Sequence, residues 1–131
     1  MNAQEIFDTV AKHLFAQGHR AVGDDGASAR EVCLYRAPNG DKCAFGVLIP
    51  NECYDPLMEN HTARQVIYGW ACLEQFEDHV NLIGAMQRLH DAEYAWFSGE
   101  RLKDRLREVA EDFALSITVL DGLTLAGVGH D

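Results

Sequence analysis

Four cysteines and six histidines are the residues of this chain best suited to chemistry. Cys33, Cys43 and Cys53 stand at equal intervals, and Cys72 follows later. Thiols can act as nucleophiles or as soft metal ligands. No C-x-x-C pair is present, so the spacing of common structural zinc sites is missing. A nucleophilic cysteine needs a histidine within hydrogen-bond reach and a third group to orient it. Cys43 or Cys53 with His61, His79 or His90 would be the candidates. His90 is followed by Asp91, but neighbouring helical residues project about 100° apart, so Asp91 is not expected to orient it. No sequence signature of a cysteine hydrolase surrounds any of the four. The chain also lacks a Walker loop, G-x-G-x-x-G, H-E-x-x-H and G-x-S-x-G. No catalytic or metal-ligating residue is therefore assigned, and no cofactor is expected. The cysteines are read as thiols packing like small hydrophobes. A small enzyme using a reactive cysteine and a histidine stays as the alternative.

Charge gives the second chemical signal. Eleven basic residues against 21 acidic ones leave −10. Such a surface repels nucleic-acid backbones, so direct DNA or RNA binding is not expected. The acidity concentrates between Asn51 and Glu93. Glu52, Asp55, Glu59, Glu74, Glu77, Asp78, Asp91 and Glu93 are opposed there only by Arg64 and Arg88. Glu74 and Asp78 stand at i, i+4, where like charges mildly destabilise an α-helix, and no calcium loop accompanies them. Tyr54, Tyr68, Trp70, Tyr94, Trp96 and Phe97 lie near these carboxylates. Rigid aromatics beside charge suit a protein interface, and Tyr54 and Tyr94 are expected to be exposed. The interface reading thus comprises Glu52, Tyr54, Asp55, Glu59, Glu74, Glu77, Asp78, Asp91, Glu93 and Tyr94. Arg101, Lys103, Arg105 and Arg107 form a small basic cluster. It suggests a second alternative, a sponge for a signalling nucleotide, although helical geometry spreads the four around the axis.

These residues need a scaffold, and 131 residues point to one α+β domain, mainly helical. Ile6, Phe7, Val10, Ala11, Leu14 and Phe15 repeat at helical spacing over residues 3–17, with Gly18 placed for a left-handed C-cap. Residues 23–30 are small and polar and read as a loop. A β-hairpin is expected over about 31–49: strands Glu31–Arg36 and Lys42–Ile49, joined through Pro38-Asn39-Gly40-Asp41 and stopped by Pro50. Helices should cover one face of it. Thr62 caps a short helix carrying Val66 and Ile67. A further helix runs from near Val80 to His90 on Leu82, Ile83, Met86, Leu89 and His90. Ser98 opens the last, on Leu102, Leu106, Val109, Ala110 and Phe113. Asp121-Gly122 marks either a short C-terminal hairpin or an extended tail.

The stretch "CLYRAPNGDKCAFGVLIPNECYDPLMEN", followed by "LIGAMQRLHD", resembles a group of small bacteriophage and prophage accessory proteins. Their pattern is a Tyr-Arg hairpin, Lys-Cys-Ala-x-Gly, an Ile-Pro-acidic-x-x-Tyr segment and a Gln-x-x-His-Asp helix. Asn51 departs from it, standing where an acidic residue is usual, and the tail after Leu115 is not covered. The resemblance implies a mobile-element source and an accessory role, and carries over no catalytic residue. With the charge, it suggests a non-enzymatic inhibitor of a host protein with a basic surface, an anti-CRISPR or other anti-defence factor. The N-terminus has no secretory pattern and no apolar run is long enough to span a bilayer. The host-cell cytoplasm is the expected location, with no membrane partner. A homodimer stays open.

Overall fold

A computed structural model describes residues 1–24 and 31–126. Four α-helices, several 3-10 segments and one two-stranded antiparallel sheet surround a single apolar core, which is the mainly helical α+β architecture. Helix α1 (Ala3–Gln17) packs one face into the core. The Asn2 side chain and Glu5 close a capping box at its start, and Gly18 at φ 84° ends it. A Cβ on Gly18 would also meet the Ala126 carbonyl oxygen at 2.3 Å. The six residues of the apolar stripe are all buried. Helix α2 (Ala63–Gly69) starts at a Thr62–Gln65 capping box. Helix α3 (Val80–Asp91) buries Leu82, Ile83, Met86, Leu89 and His90. Helix α4 (Gly99–Asp112) is capped by Ser98. No helix among the described residues is long and apolar enough to cross a membrane.

The sheet lies elsewhere than the turn chemistry suggests. Strand β2 (Glu31–Cys33) pairs with β1 (Val22–Asp24), in the register Val22↔Cys33, Gly23↔Val32 and Asp24↔Glu31. Gly23 and Asp24, read as loop, are thus in a strand, and the rest of that expected loop, 25–30, lies outside the described residues. The Asn39-Gly40 turn forms, with Gly40 at φ 97°, but supports only one bridge, Arg36↔Lys42. The expected strand Lys42–Ile49 instead folds into a 3-10 turn, Gly46–Leu48. Its apolar residues are buried on every side: Cys43, Ala44, Phe45, Leu48 and Ile49 all belong to the core. A short run without alternation does not distinguish a strand from a buried turn. Gly46 permits the observed packing, because a Cβ there would sit 1.9 Å from the Tyr35 carbonyl oxygen.

Two further segments refine the expectation. Ala71–His79 is a nine-residue 3-10 helix, long for that geometry. Three residues per turn put Leu73 and Phe76 in the core and leave Glu74, Gln75, Glu77 and Asp78 exposed. At the C-terminus the Asp121-Gly122 turn forms with Gly122 at φ 80°, but a 3-10 turn, Thr118–Leu120, precedes it and no strand flanks it among the described residues. This segment packs back on α1: Ala126 N–H donates to the Phe15 carbonyl, and Ser116 exchanges hydrogen bonds with Gln4.

A candidate binding cleft and an acidic ridge

A cleft of about 790 Å³ opens between β2, the Glu59–Thr62 loop, the start of α2, α3 and the end of α4. At its base lies a polar knot built on the C-terminal turn of α3. His90 is fully buried, and its Nε2 accepts the Ala21 backbone N–H at 3.0 Å. A backbone amide can only donate, so the ring proton is on Nδ1, which donates to Asp91 Oδ1 at 2.8 Å. Gln87 donates to the same oxygen. The expectation that Asp91 could not orient His90 is therefore overturned. Asp91 is the last residue of α3, where its short side chain reaches the neighbouring ring.

Cys33, His90 and Asp91 bring three potential metal ligands within 4.8 Å of one another. The histidine argues against coordination. Nδ1 could bind an ion only after passing its proton to Nε2, which would then face the Ala21 N–H donor against donor. The knot is also unsuited to nucleophilic chemistry. Burial first, and the Asp91 carboxylate second, push the Cys33 thiol up to about 11. A reactive cysteine shows the opposite shift. Burial likewise raises the pKa of Cys43, whose sulfur accepts the Gly46 N–H at 3.1 Å.

The remaining pair corrects the reading of four free thiols. Cys53 and Cys72 form a disulfide, with Cα atoms 6.1 Å apart. Cys53 is buried and Cys72 exposed. The bond ties the loop carrying Glu52 and Asp55 to the 3-10 helix carrying Glu74, Glu77 and Asp78. Glu52, next to Cys53, and Glu74, close to Cys72, thereby sit on neighbouring segments and, with Glu77 and Asp78, make up an acidic ridge. Glu52, Glu74, Glu77 and Asp78 are exposed and join no ion pair among the described residues. On a 3-10 helix Glu74 eclipses Glu77, and Asp78 lies about 120° away, so the i, i+4 pairing expected of Glu74 and Asp78 does not arise.

The other expected interface residues divide differently. Glu59 faces inward: its carboxylate accepts the Tyr35 and Arg36 backbone N–H groups and the Tyr54 hydroxyl. Tyr54, expected to be exposed, is half-buried there with the Arg36 guanidinium over its ring. Asp55 caps the Pro56–Met58 turn and accepts from the Trp70 indole. Glu93 and Tyr94 are exposed near the start of α4, away from the disulfide in sequence, with Arg105 over the Tyr94 ring. Tyr68 and Phe97 are more exposed than Tyr94. The basic cluster is engaged within α4: Arg105 pairs with Glu108, Arg107 with Asp104, and Arg101 lies over Phe97. Lys103 lies over the Phe15 ring, so each of the four cations of the nucleotide-sponge reading already has a contact within the chain.

The sequence matches no family model, and neither a curated protein nor a solved structure is similar to it.

Proposed function

We propose that the chain is a non-enzymatic binding protein whose acidic ridge occupies a basic surface on a partner protein. The observation that supports this is the ridge itself: Glu52, Glu74, Glu77 and Asp78 are exposed and join no ion pair among the described residues. Carboxylates without internal partners add nothing to folding by pairing, whereas they steer association with a cationic surface and select against anionic ones. Where the disulfide is formed, it holds the two acidic segments together before contact, which lowers the ordering cost of binding. A surface evolved to hold nucleic acid is the natural counterpart. The partner on this reading is a host nuclease or CRISPR-type complex in the cytoplasm, and the chain is a phage or mobile-element inhibitor of it. The reactive-cysteine alternative loses support from the raised thiols of Cys33 and Cys43 and from the bonded Cys53.

The test is competition. A host nuclease complex that binds the chain should release its nucleic acid as the chain is added, and the chain's own affinity for the complex should fall as salt rises. Binding that leaves nucleic-acid occupancy unchanged, or that does not weaken with salt, would contradict the reading.

A further inference from the structure

The cleft carries an inference separate from the ridge. Arg64 and Arg88, the two cations of the acidic middle of the sequence, both line it. Neither joins an ion pair among the described residues, although the Arg64 guanidinium lies over the Tyr68 ring. Two carboxylates of the cleft are occupied elsewhere: Glu59 by two backbone N–H groups and Tyr54, and Asp91 by His90 and Gln87. Asp112 is the remaining acid of the lining. Guanidinium groups in a concave site recognise carboxylate or phosphate oxygens in bidentate fashion. Net charge does not forbid this, because exposed charges are screened beyond about 8 Å at physiological ionic strength.

Gly84 supplies an independent observation. It lies inside α3 and lines the cleft. A glycine inside a helix costs about 1 kcal/mol relative to alanine. Packing does not require it here: a Cβ would meet only Arg88 Nη1, at 3.5 Å. Its effect is to keep the cleft wall open beside that guanidinium. Val32, Leu34, Val80 and Phe113 supply apolar wall, and the volume falls within the range of small-molecule sites, roughly 300–1,000 Å³.

We infer that the cleft binds a small organic anion, a carboxylate or phosphate ester on an apolar or aromatic body. Arg64 and Arg88 hold the anionic end, and Gly84 makes room for the body. Isothermal titration of the full chain with phenyl phosphate and with benzoate tests this, with benzyl alcohol as the neutral control. At least one anion should bind and benzyl alcohol should not; which anion binds separates the phosphate source from the carboxylate source. Arg88→Gln and Arg64→Gln should each weaken binding roughly tenfold, the scale of one lost charged hydrogen bond. Gly84→Ala should raise the melting temperature through helix propensity while weakening binding, which a purely structural glycine would not do. Glu74→Lys, on the ridge, should leave the affinity within twofold. The inference is overturned if neither anion binds at millimolar concentration, if benzyl alcohol binds as well as they do, or if the arginine and glycine variants bind like the parent.

Discussion

The carboxylates at the cleft and those on the ridge carry the same charge and meet opposite fates. Glu59 collects two backbone amides and a phenol, and Asp91 collects an imidazole and an amide. Glu74, Glu77 and Asp78 project into solvent from a 3-10 helix without an ion pair among the described residues. These acids thus form two populations. One kind of acid closes loops onto the core, and the other is presented outward. Removing the first kind should cost stability, and removing the second should cost only binding.

Glu59→Ala should separate the two most sharply. It strands two backbone donors and the Tyr54 hydroxyl, each worth about 1–3 kcal/mol when buried and unpaired. A loss of about 4 kcal/mol in denaturant unfolding is expected; a loss like that of an exposed glutamate would erase the distinction. Opening the disulfide should come next. The bond closes a loop with a sequence separation of 19, so reduction or Cys72→Ser should cost about 3 kcal/mol. It should also weaken partner binding by freeing the two halves of the ridge. In a reducing cytoplasm such a pair is expected as thiols, so alkylation of freshly lysed cells would report which form operates there. His90→Phe keeps an aromatic ring there but strands the Ala21 N–H, for an expected loss of about 2 kcal/mol.

Two titrations sharpen the same contrast from the buried side. Burial, the largest influence, lowers the pKa of His13 below its ordinary 6.5, although its ring bonds the Lys42 carbonyl. The folded state therefore resists protonation. The stability contributed by neutral His13 is complete above pH 6.5 and is lost as pH falls through the lower folded-state pKa. His13→Gln should flatten that part of the unfolding profile. Cys33 shifts the other way, so the neutral thiol favours folding below pH 9.0 and this contribution is lost as pH rises through about 11. Iodoacetamide should label Cys33 slowly at neutral pH and faster only as pH climbs toward that value.

Helices were the legible part of the fold. The stripes of α1 and α3 are buried residue for residue, and Thr62, Ser98 and Gly18 occupy the caps their chemistry indicates. The sheet was less legible, because β1 is three residues long and the apolar run after Lys42 has no period of two. Leu73 and Phe76 in Ala71–His79 stand three apart, a spacing an α-helix shares, so the pattern did not mark the 3-10 geometry. The site was the least legible. Cysteine connectivity does not follow from spacing, and the inward turn of Glu59 depends on backbone amides that only the tertiary fold brings near.

The ridge carboxylates themselves should give the smallest stability change and the largest change in binding. Against a basic partner of the chain, the affinity of Glu74→Lys/Glu77→Lys/Asp78→Lys should be compared with that of Glu108→Lys/Glu111→Lys/Asp121→Lys, which alters net charge equally at other exposed positions. The ridge variant should unfold within about 0.5 kcal/mol of the parent, as exposed sites do, and lose at least tenfold in affinity, while the second variant loses far less. Equal losses from both would reduce the ridge to bulk charge and contradict the account.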